Sequence, residues 1–431
     1  MQIDVPRKTE ALERRSRINM IQSVTPFDIQ KINGLKLLHI ENTSFLTNIQ
    51  ILTRVGSCAE HPAQWGLAHI LEHMFFKGSR KRPGGTSISR AANDIGGKMN
   101  AYTTYDHTAY YITVLNDRFE EGFDILADMY RNPLFPAEEF KKELNPILSE
   151  YREREDDPDS FLVERALQMF LGDAYHPIIG TEETIRGATV EKMHDFKNRF
   201  YGGNNTLISV AGGVKLDRIE SALESAFPTS DDTQDPEIKE ANYTAGELTL
   251  TKPGISEAYF TLFYPALPPH HPDRFKQDFM NYVLGGNDSG LLFERIREEL
   301  GMSCYGIYSF AMRNEPHSVL GISCGIAPDE LPQLEKEVND IVEKICTELV
   351  EEDRVNRARA SIRTSIAARS ETSTGLNTMM SVPILRGETE DPVQKALTEM
   401  EKVSLEDIRE MAARTFSGPK FKAILLPEKA S

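Results

Sequence analysis

The sequence predicts an α+β fold of two domains on one plan, each a mostly antiparallel sheet packed against helices. Three observations predict it. The chain has 431 residues, past the length at which a single hydrophobic core stops growing. A polar, acidic stretch poor in apolar residues, PTSDDTQDPEIKEANYTAG, divides it near the middle. The order of strand-like and helix-like patterns before that stretch recurs after it, in halves of roughly 215 residues. The expected layout is one domain over 1–227, a linker over 228–246 and a matching domain over 247–431. Two unrelated α+β domains are the alternative.

The first half opens with the strand-like runs GLKLLHI and NIQILTRVGS, followed by a helix carrying HILEH. A second helical stretch, SISRAANDIG, leads into KMNAYTTYDHTAYYITV, whose alternation reads as a strand pair. Helices follow from about Asp117 to Phe200, with turns at NPLFP and DDPDS, then a strand NTLISVAGG and a helix ending near Phe227. After the linker come strands GELTLTK and SEAYFTLFYPA and helices from about Arg274 to Leu300. Strands SCYGIYSFAM and SVLGISCGIA follow. Long helices from Glu330 to about Ser370 and a last strand FKAILLPE complete the half.

A net charge of −17 disfavours nucleic acid and anionic membrane as partners, both being polyanions. It is compatible with basic or neutral peptides. No apolar run reaches membrane-spanning length. The first residues lack the apolar core of a secretory signal, and Asp4, Glu10 and Glu13 argue against a transit peptide. A cytoplasmic protein is expected, unless a leader has been removed. The four cysteines, Cys58, Cys304, Cys324 and Cys346, show no CxxC spacing. They read as reduced, buried thiols.

The chemistry concentrates in HILEH. On a helix, positions i, i+3 and i+4 share a face, so His69, Glu72 and His73 project together. Leu67, Leu71 and Met74 fall on the opposite side and can anchor the helix in a core. Two imidazoles one turn apart can bind one zinc ion, and the glutamate between them can take a proton from a zinc-bound water. The pattern H-x-x-E-H is the inverzincin signature. Chance alone supplies it in about two chains in a hundred of this composition, so two structural histidines are the plain alternative. A catalytic zinc needs a third protein ligand from another element. Downstream, in EEFKKELNPILSEYRERE, Glu143 and Glu150 stand two helical turns apart.

With these segments in view, the chain resembles the pitrilysin/insulinase family of zinc peptidases, in particular its half-length members such as mitochondrial processing peptidase subunits and their bacterial relatives. The likeness runs through nearly the whole chain and rests on VGSCAE, GLAHILEHMFFKGS and IGGKMNAYTTYDHTAYY, in order and spacing. It implies that His69, His73 and Glu150 ligate zinc, that Glu72 is the general base, and that Glu143 supports the site. Pro146 stands between Glu143 and Glu150, where it removes a helical N–H and disfavours helical geometry at Asn145. The helix is therefore expected to kink there or begin near Pro146, which makes Glu150 the firmer assignment.

The resemblance also implies that KMNAYTTYD is a sheet-edge strand accepting the peptide substrate, with Asn100, Ala101 and Thr103 lining the cleft and Gly96 and Gly97 allowing close approach. A buried strand is the alternative at Ala101 and Tyr102. His39, His107 and His194 read as ordinary residues of their elements. In the second half, Arg297 and Tyr305 match a family Arg/Tyr pair that binds substrate and stabilises the oxyanion. The plain alternative for Arg297 is a salt bridge with Glu298 or Glu294. Gly290 stands where relatives often carry Arg. The implied function is a zinc-dependent metalloendopeptidase acting on peptides or unfolded leader segments. The implied assembly is half of a clam-shaped dimer in which the Arg/Tyr pair serves a partner's zinc. A homodimer is expected, with a heterodimer as runner-up. A dedicated precursor-processing subunit and a non-catalytic peptide-binding subunit are the functional alternatives.

Overall fold

Two mixed sheets, built to the same strand order, form the frame of this computed structural model, which describes residues 26–229, 233–304, 306–315 and 317–428. Tyr305, the acidic residues Asp4, Glu10 and Glu13, and linker positions 230–232 lie outside the described residues.

The first half contains β1 (Phe27–Ile32), β2 (Leu35–Glu41), β3 (Leu46–Thr53), α1 (Leu67–Phe75), α2 (Ser87–Asp94), β4 (Lys98–Thr103), β5 (Thr108–Leu115), α3 (Phe119–Arg131), α4 (Ala137–Asp156), α5 (Pro158–Leu171), α6 (Glu182–Arg186), α7 (Val190–Phe200), β6 (Thr206–Gly212) and α8 (Leu216–Ala226). The second contains β7 (Gly246–Lys252), β8 (Ala258–Pro265), α9 (Arg274–Gly285), α10 (Leu291–Phe293), which runs into a π-helical stretch Glu294–Glu299, β9 (Ile307–Arg313), β10 (Ser318–Ile326), α11 (Leu331–Thr347), α12 (Glu352–Ser370), α13 (Ser373–Leu385), α14 (Pro392–Lys402), α15 (Leu405–Phe416) and β11 (Phe421–Pro427).

Sheet order is β1-β2-β6-β3-β5-β4 in the first half and β7-β11-β8-β10-β9 in the second. Without β1 the two sequences of strands superimpose, down to the single parallel pair in each, β2 with β6 and β7 with β11. The recurring pattern in the sequence is thus a recurring topology. Strand β9 starts at Ile307, later than the apolar run from Ser303 suggests. All four cysteines are free thiols, three of them buried.

Helices are exchanged between the halves. One face of the first sheet packs on α1 and α3. Its other face is covered by α13, where Leu376, Met380 and Ile384 meet Leu38, Ile40 and Leu52. Conversely, α5 of the first half lies on the second sheet, where Leu162, Leu167 and Phe170 meet Phe263, Phe421 and Leu425. Each of these fully buried side chains contributes about 1.5–3 kcal/mol relative to exposure. Polar groups reinforce the first contact: Asn377 Nδ2 donates to the Asn48 carbonyl at 3.1 Å and to Asn48 Oδ1 at 2.8 Å. Neither half is a self-contained packing unit, although the chain between Thr233 and Ala245 carries neither helix nor strand.

The expected break at Pro146 does not begin a helix: α4 runs from Ala137 through Pro146 to Asp156. Pro146 lies on the exposed side, and so does Lys142, whose carbonyl loses its i+4 donor and faces water instead.

Candidate metal centre

The seat of α1 is built before its site. Two residues in the left-handed region, Gly66 (φ 87°) and Gly180 (φ 88°), cross backbone to backbone. A Cβ on Gly66 would lie 2.1 Å from the Ile179 carbonyl oxygen, and one on Gly180 2.3 Å from that of Trp65. Only glycine allows both the dihedral and the approach. The buried Glu60 carboxylate then accepts the N–H groups of Gly66 (2.7 Å) and Ala68 (2.6 Å), satisfying donors that a helix start leaves open. Ile70, Leu71, Met74 and Phe75 are buried and fix the rotation of the helix, which turns His69, Glu72 and His73 toward α4 and β4.

Across that gap stands Glu150. Its Oε2 lies 3.4 Å from His69 Nε2 and 3.5 Å from His73 Nε2, and the three donor atoms lie within 4.8 Å of one another. Ligands about 2.0–2.2 Å from one tetrahedral ion stand roughly 3.3–3.5 Å apart, so the donor set and its two imidazole–carboxylate spacings fit zinc. The imidazoles meet nearly edge to face, with ring centroids 4.8 Å apart.

Glu143 takes its place in the same site. Its Oε1 lies 3.0 Å from His73 Nδ1, and its Oε2 is 2.5 Å from Lys77 Nζ, in the turn just past the end of α1. With Nδ1–H donating to Glu143, His73 Nε2 becomes available to an ion once its own proton is lost, the arrangement of a carboxylate–histidine–metal triad. For His69 the counterpart atom, Nδ1, is buried with no hydrogen-bond partner among the described residues.

Electrostatics match. Burial lowers the basicity of His73, but hydrogen bonds to Glu143 and Glu150 and the charge of Glu72 outweigh it and raise its pKa to about 9. The hydrogen bonds from His69 and His73 pull the Glu150 carboxyl well below the ordinary carboxylate range, against burial. Burial pushes Glu143 up, while His73 and Lys77 pull it down further. Three carboxylates, Glu72, Glu143 and Glu150, gather here around the Lys77 ammonium and two imidazoles, and a divalent cation replacing the imidazole protons balances them.

Glu72 is held from the sheet: Thr103 Oγ1 donates to its Oε2 at 2.6 Å. Thr103 thus touches Glu72 directly. Strand β4, which carries it, is an edge strand, with Asn100 exposed, Tyr102 half-buried and Ala101 buried, as the alternative reading of Ala101 had it. The close approach expected of Gly97 is internal: a Cβ there would meet Ile112, Val114 and the Ala92 carbonyl. Gly96 is the open position, with φ 68° and nothing near its Cβ. His107 belongs to the turn before β5, where its Nδ1 lies 2.7 Å from Asp106. His39 bonds the Val214 carbonyl and His194 packs on Phe135, both within their elements.

Arg297 sits in the π-helical stretch of the second half, its guanidinium 5.4 Å from the centroid of the Phe293 ring. Glu294, one of its possible partners, is paired with Arg354. A side chain at Gly290 would strike the Gly285 Cα at 2.8 Å, so this turn has no room for an arginine. Sequence patterning missed Lys77, Glu60 and the role of Thr103. The signal for Lys77 was its i+4 spacing from His73.

The model of the family described as Insulinase (Peptidase family M16) matches residues 38–176, and that of the Peptidase M16 inactive domain matches 187–362. An uncharacterized zinc protease of Rickettsia felis is 31% identical over 351 residues, spanning 80% of this chain and 84% of that protein. The uncharacterized zinc protease YmxG of Bacillus subtilis is 26% identical over 92% of this chain and 97% of its own. This chain belongs to the insulinase family, peptidase family M16. Its fold is shared with a protease from Helicobacter pylori (TM-score 0.86, 19% identity, 94% of this chain and all of that one). It is shared too with a putative M16-like peptidase from Alicyclobacillus acidocaldarius (TM-score 0.79, 20% identity, 94% and 99%). Among the described residues no helix is long and apolar enough to cross a membrane.

Proposed function

We propose that this chain is a zinc-dependent metalloendopeptidase that cleaves extended peptides or unfolded leader segments. The observation that carries the reading is the convergence of His69, His73 and Glu150 with Glu72 on the same helix face. His69, His73 and Glu150 would hold the ion, which when bound supplies a Lewis acid for the scissile carbonyl and a lowered pKa for water. Glu143 keeps His73 in the tautomer that offers Nε2. Glu72 accepts the proton of the attacking water and returns it to the leaving amine.

Strand β4 receives the substrate. Its ladder partner is β5 on one side only, and Thr104 N–H bonds the His107 carbonyl at the turn. Antiparallel alternation then points the backbone groups of Met99, Ala101 and Thr103 away from β5. The Asn100 side chain caps the Ala101 N–H at 2.9 Å until a peptide carbonyl replaces it. In this reading Arg297 and Tyr305 act on the zinc site of a second copy, which makes the working unit a homodimer.

The test combines metal analysis with digestion of a peptide library read by mass spectrometry. One zinc per site and discrete cleavages lost on chelation are expected. Protein purified without chelator that holds no transition metal and regains no hydrolysis with added zinc would overturn the reading.

A further inference from the structure

We infer that Thr103 is a positioning residue that ties the orientation of the base Glu72 to the strand on which the substrate docks. The inference rests on the peptidase reading above and deepens it. Three observations meet at this residue. The Thr103 hydroxyl donates to Glu72 Oε2 at 2.6 Å, a short bond of the charge-assisted kind. Thr103 is the last residue of β4, paired with Thr108, so its backbone is held by the ladder while its outward groups border the open edge. Being β-branched, it has few χ1 choices, which makes it a stiff strut between strand and carboxylate.

Glu72 needs such a strut. Its helix neighbours His69 and His73 are each tied to Glu150, and His73 also to Glu143. The hydrogen bond to Glu72 comes instead from the strand. A glutamate has three rotatable bonds, and a base must point at one place in the transition state. Thr103 selects that rotamer, and a peptide added along β4 hydrogen-bonds the same stretch of backbone. Occupation of the edge therefore stiffens the support of the base. Thr103 so lowers the barrier to turnover and contributes little to ground-state affinity.

The full-length zinc-loaded protein and its Thr103→Val and Thr103→Ser variants test this. Valine keeps shape and branching but removes the hydroxyl; serine keeps the hydroxyl. With a peptide that the wild type cleaves, Thr103→Val should lose about tenfold to a hundredfold in kcat, the range for deleting one hydrogen bond to a charged group, with KM and zinc content unchanged. Thr103→Ser should retain most of the activity. Crystal structures of wild type and Thr103→Val should show one Glu72 rotamer in the first and several, or a different one, in the second. An unchanged kcat, a change confined to KM, loss of zinc alongside activity, or an identical Glu72 rotamer in the valine variant would each overturn the inference. A wild type that binds zinc but cleaves nothing would count against the peptidase reading alone, and the rotamer comparison would still decide the role of Thr103.

Discussion

The α1–α4 pair of the first half and the α9–α12 pair of the second occupy matching places on matching sheets, and they are held together by different chemistry. In the first, imidazoles and carboxylates face each other: His69 and His73 across from Glu150, and His73 bonded to Glu143. In the second, Tyr282 meets Ser361 hydroxyl to hydroxyl at 2.6 Å, while Phe279, Met280 and Val283 fill the core much as Ile70, Leu71 and Met74 do. No metal-binding cluster of His, Cys, Asp and Glu occurs in the second half among the described residues. The scaffold therefore does not require the charged face. Burying apolar side chains on the opposite side suffices to place the helix, and the open face is available for a metal in one half and a plain hydroxyl contact in the other.

Four experiments press on that contrast, the largest effect first. Glu72→Gln should lower hydrolysis by about a hundred- to ten-thousand-fold while zinc stays bound, since a proton acceptor is lost but no ligand. Peptide turnover and metal content measure both, and near-normal turnover would move the base elsewhere.

If the second half serves a partner's metal, mixing inactive Glu72→Gln with inactive Arg297→Ala under conditions of subunit exchange should restore activity. A mixed dimer then contains one site with base and arginine both intact. No recovery despite demonstrated exchange would confine each site to its own chain.

Glu143→Ala should weaken zinc affinity by about ten- to a hundredfold, as loss of a carboxylate behind a ligating histidine does. Lys77→Met should weaken it less, because the Glu143–His73 bond survives. Competition with a chromogenic chelator reads both.

The smallest effect belongs to the second half: Tyr282→Phe should cost about 0.5–1.5 kcal/mol and leave zinc content and turnover unchanged. A loss of activity there would show the two helix pairs to be coupled.

The seam between the halves supplies a pH test. Burial raises the Asp106 carboxyl, but the hydrogen bond from His107, the Arg386 charge and the Glu315 N–H outweigh it and leave it well below its ordinary value. A depressed folded pKa stabilises fully above the unfolded value of about 3.9, and that stability is lost as pH falls below it. Asp106→Asn should therefore destabilise at neutral pH, by about 3–5 kcal/mol for a broken buried pair, and flatten the acid limb of a denaturation profile taken between pH 5 and 2.

The cluster of His69, His73 and Glu150 with Glu72 beside it was legible because its spacing is local: i, i+3, i+4 on one helix, and a glutamate at a distance that the family resemblance supplied. The contact of Thr103 with Glu72 and the part played by Glu60 were not, since each meets α1 only after sheet and loop have folded against it. The sequence patterning yields no element between Ser370 and Phe421, where α13, α14 and α15 lie. Helix α13 hides for a physical reason. Packed on the first sheet and against neighbouring helices, it buries Ser373, Asn377 and Ser381 beside Leu376 and Met380, and carries Pro383 inside, so no polar stripe marks its period. Strand β1 escaped as a short edge strand with partly exposed faces. Of the two outcomes expected at Pro146, a helix start is ruled out, because the proline falls on the exposed face of a helix that continues through it.

The exchange of α5 and α13 has a consequence on the ribosome. Asn48 is made 329 residues before Asn377, its partner on α13. At about 5–20 residues per second, roughly 15–70 s pass with the outer face of the first sheet uncovered. Leu38, Ile40 and Leu52 lack their α13 cover for all of that time, and the first half cannot finish packing until most of the second half has been translated.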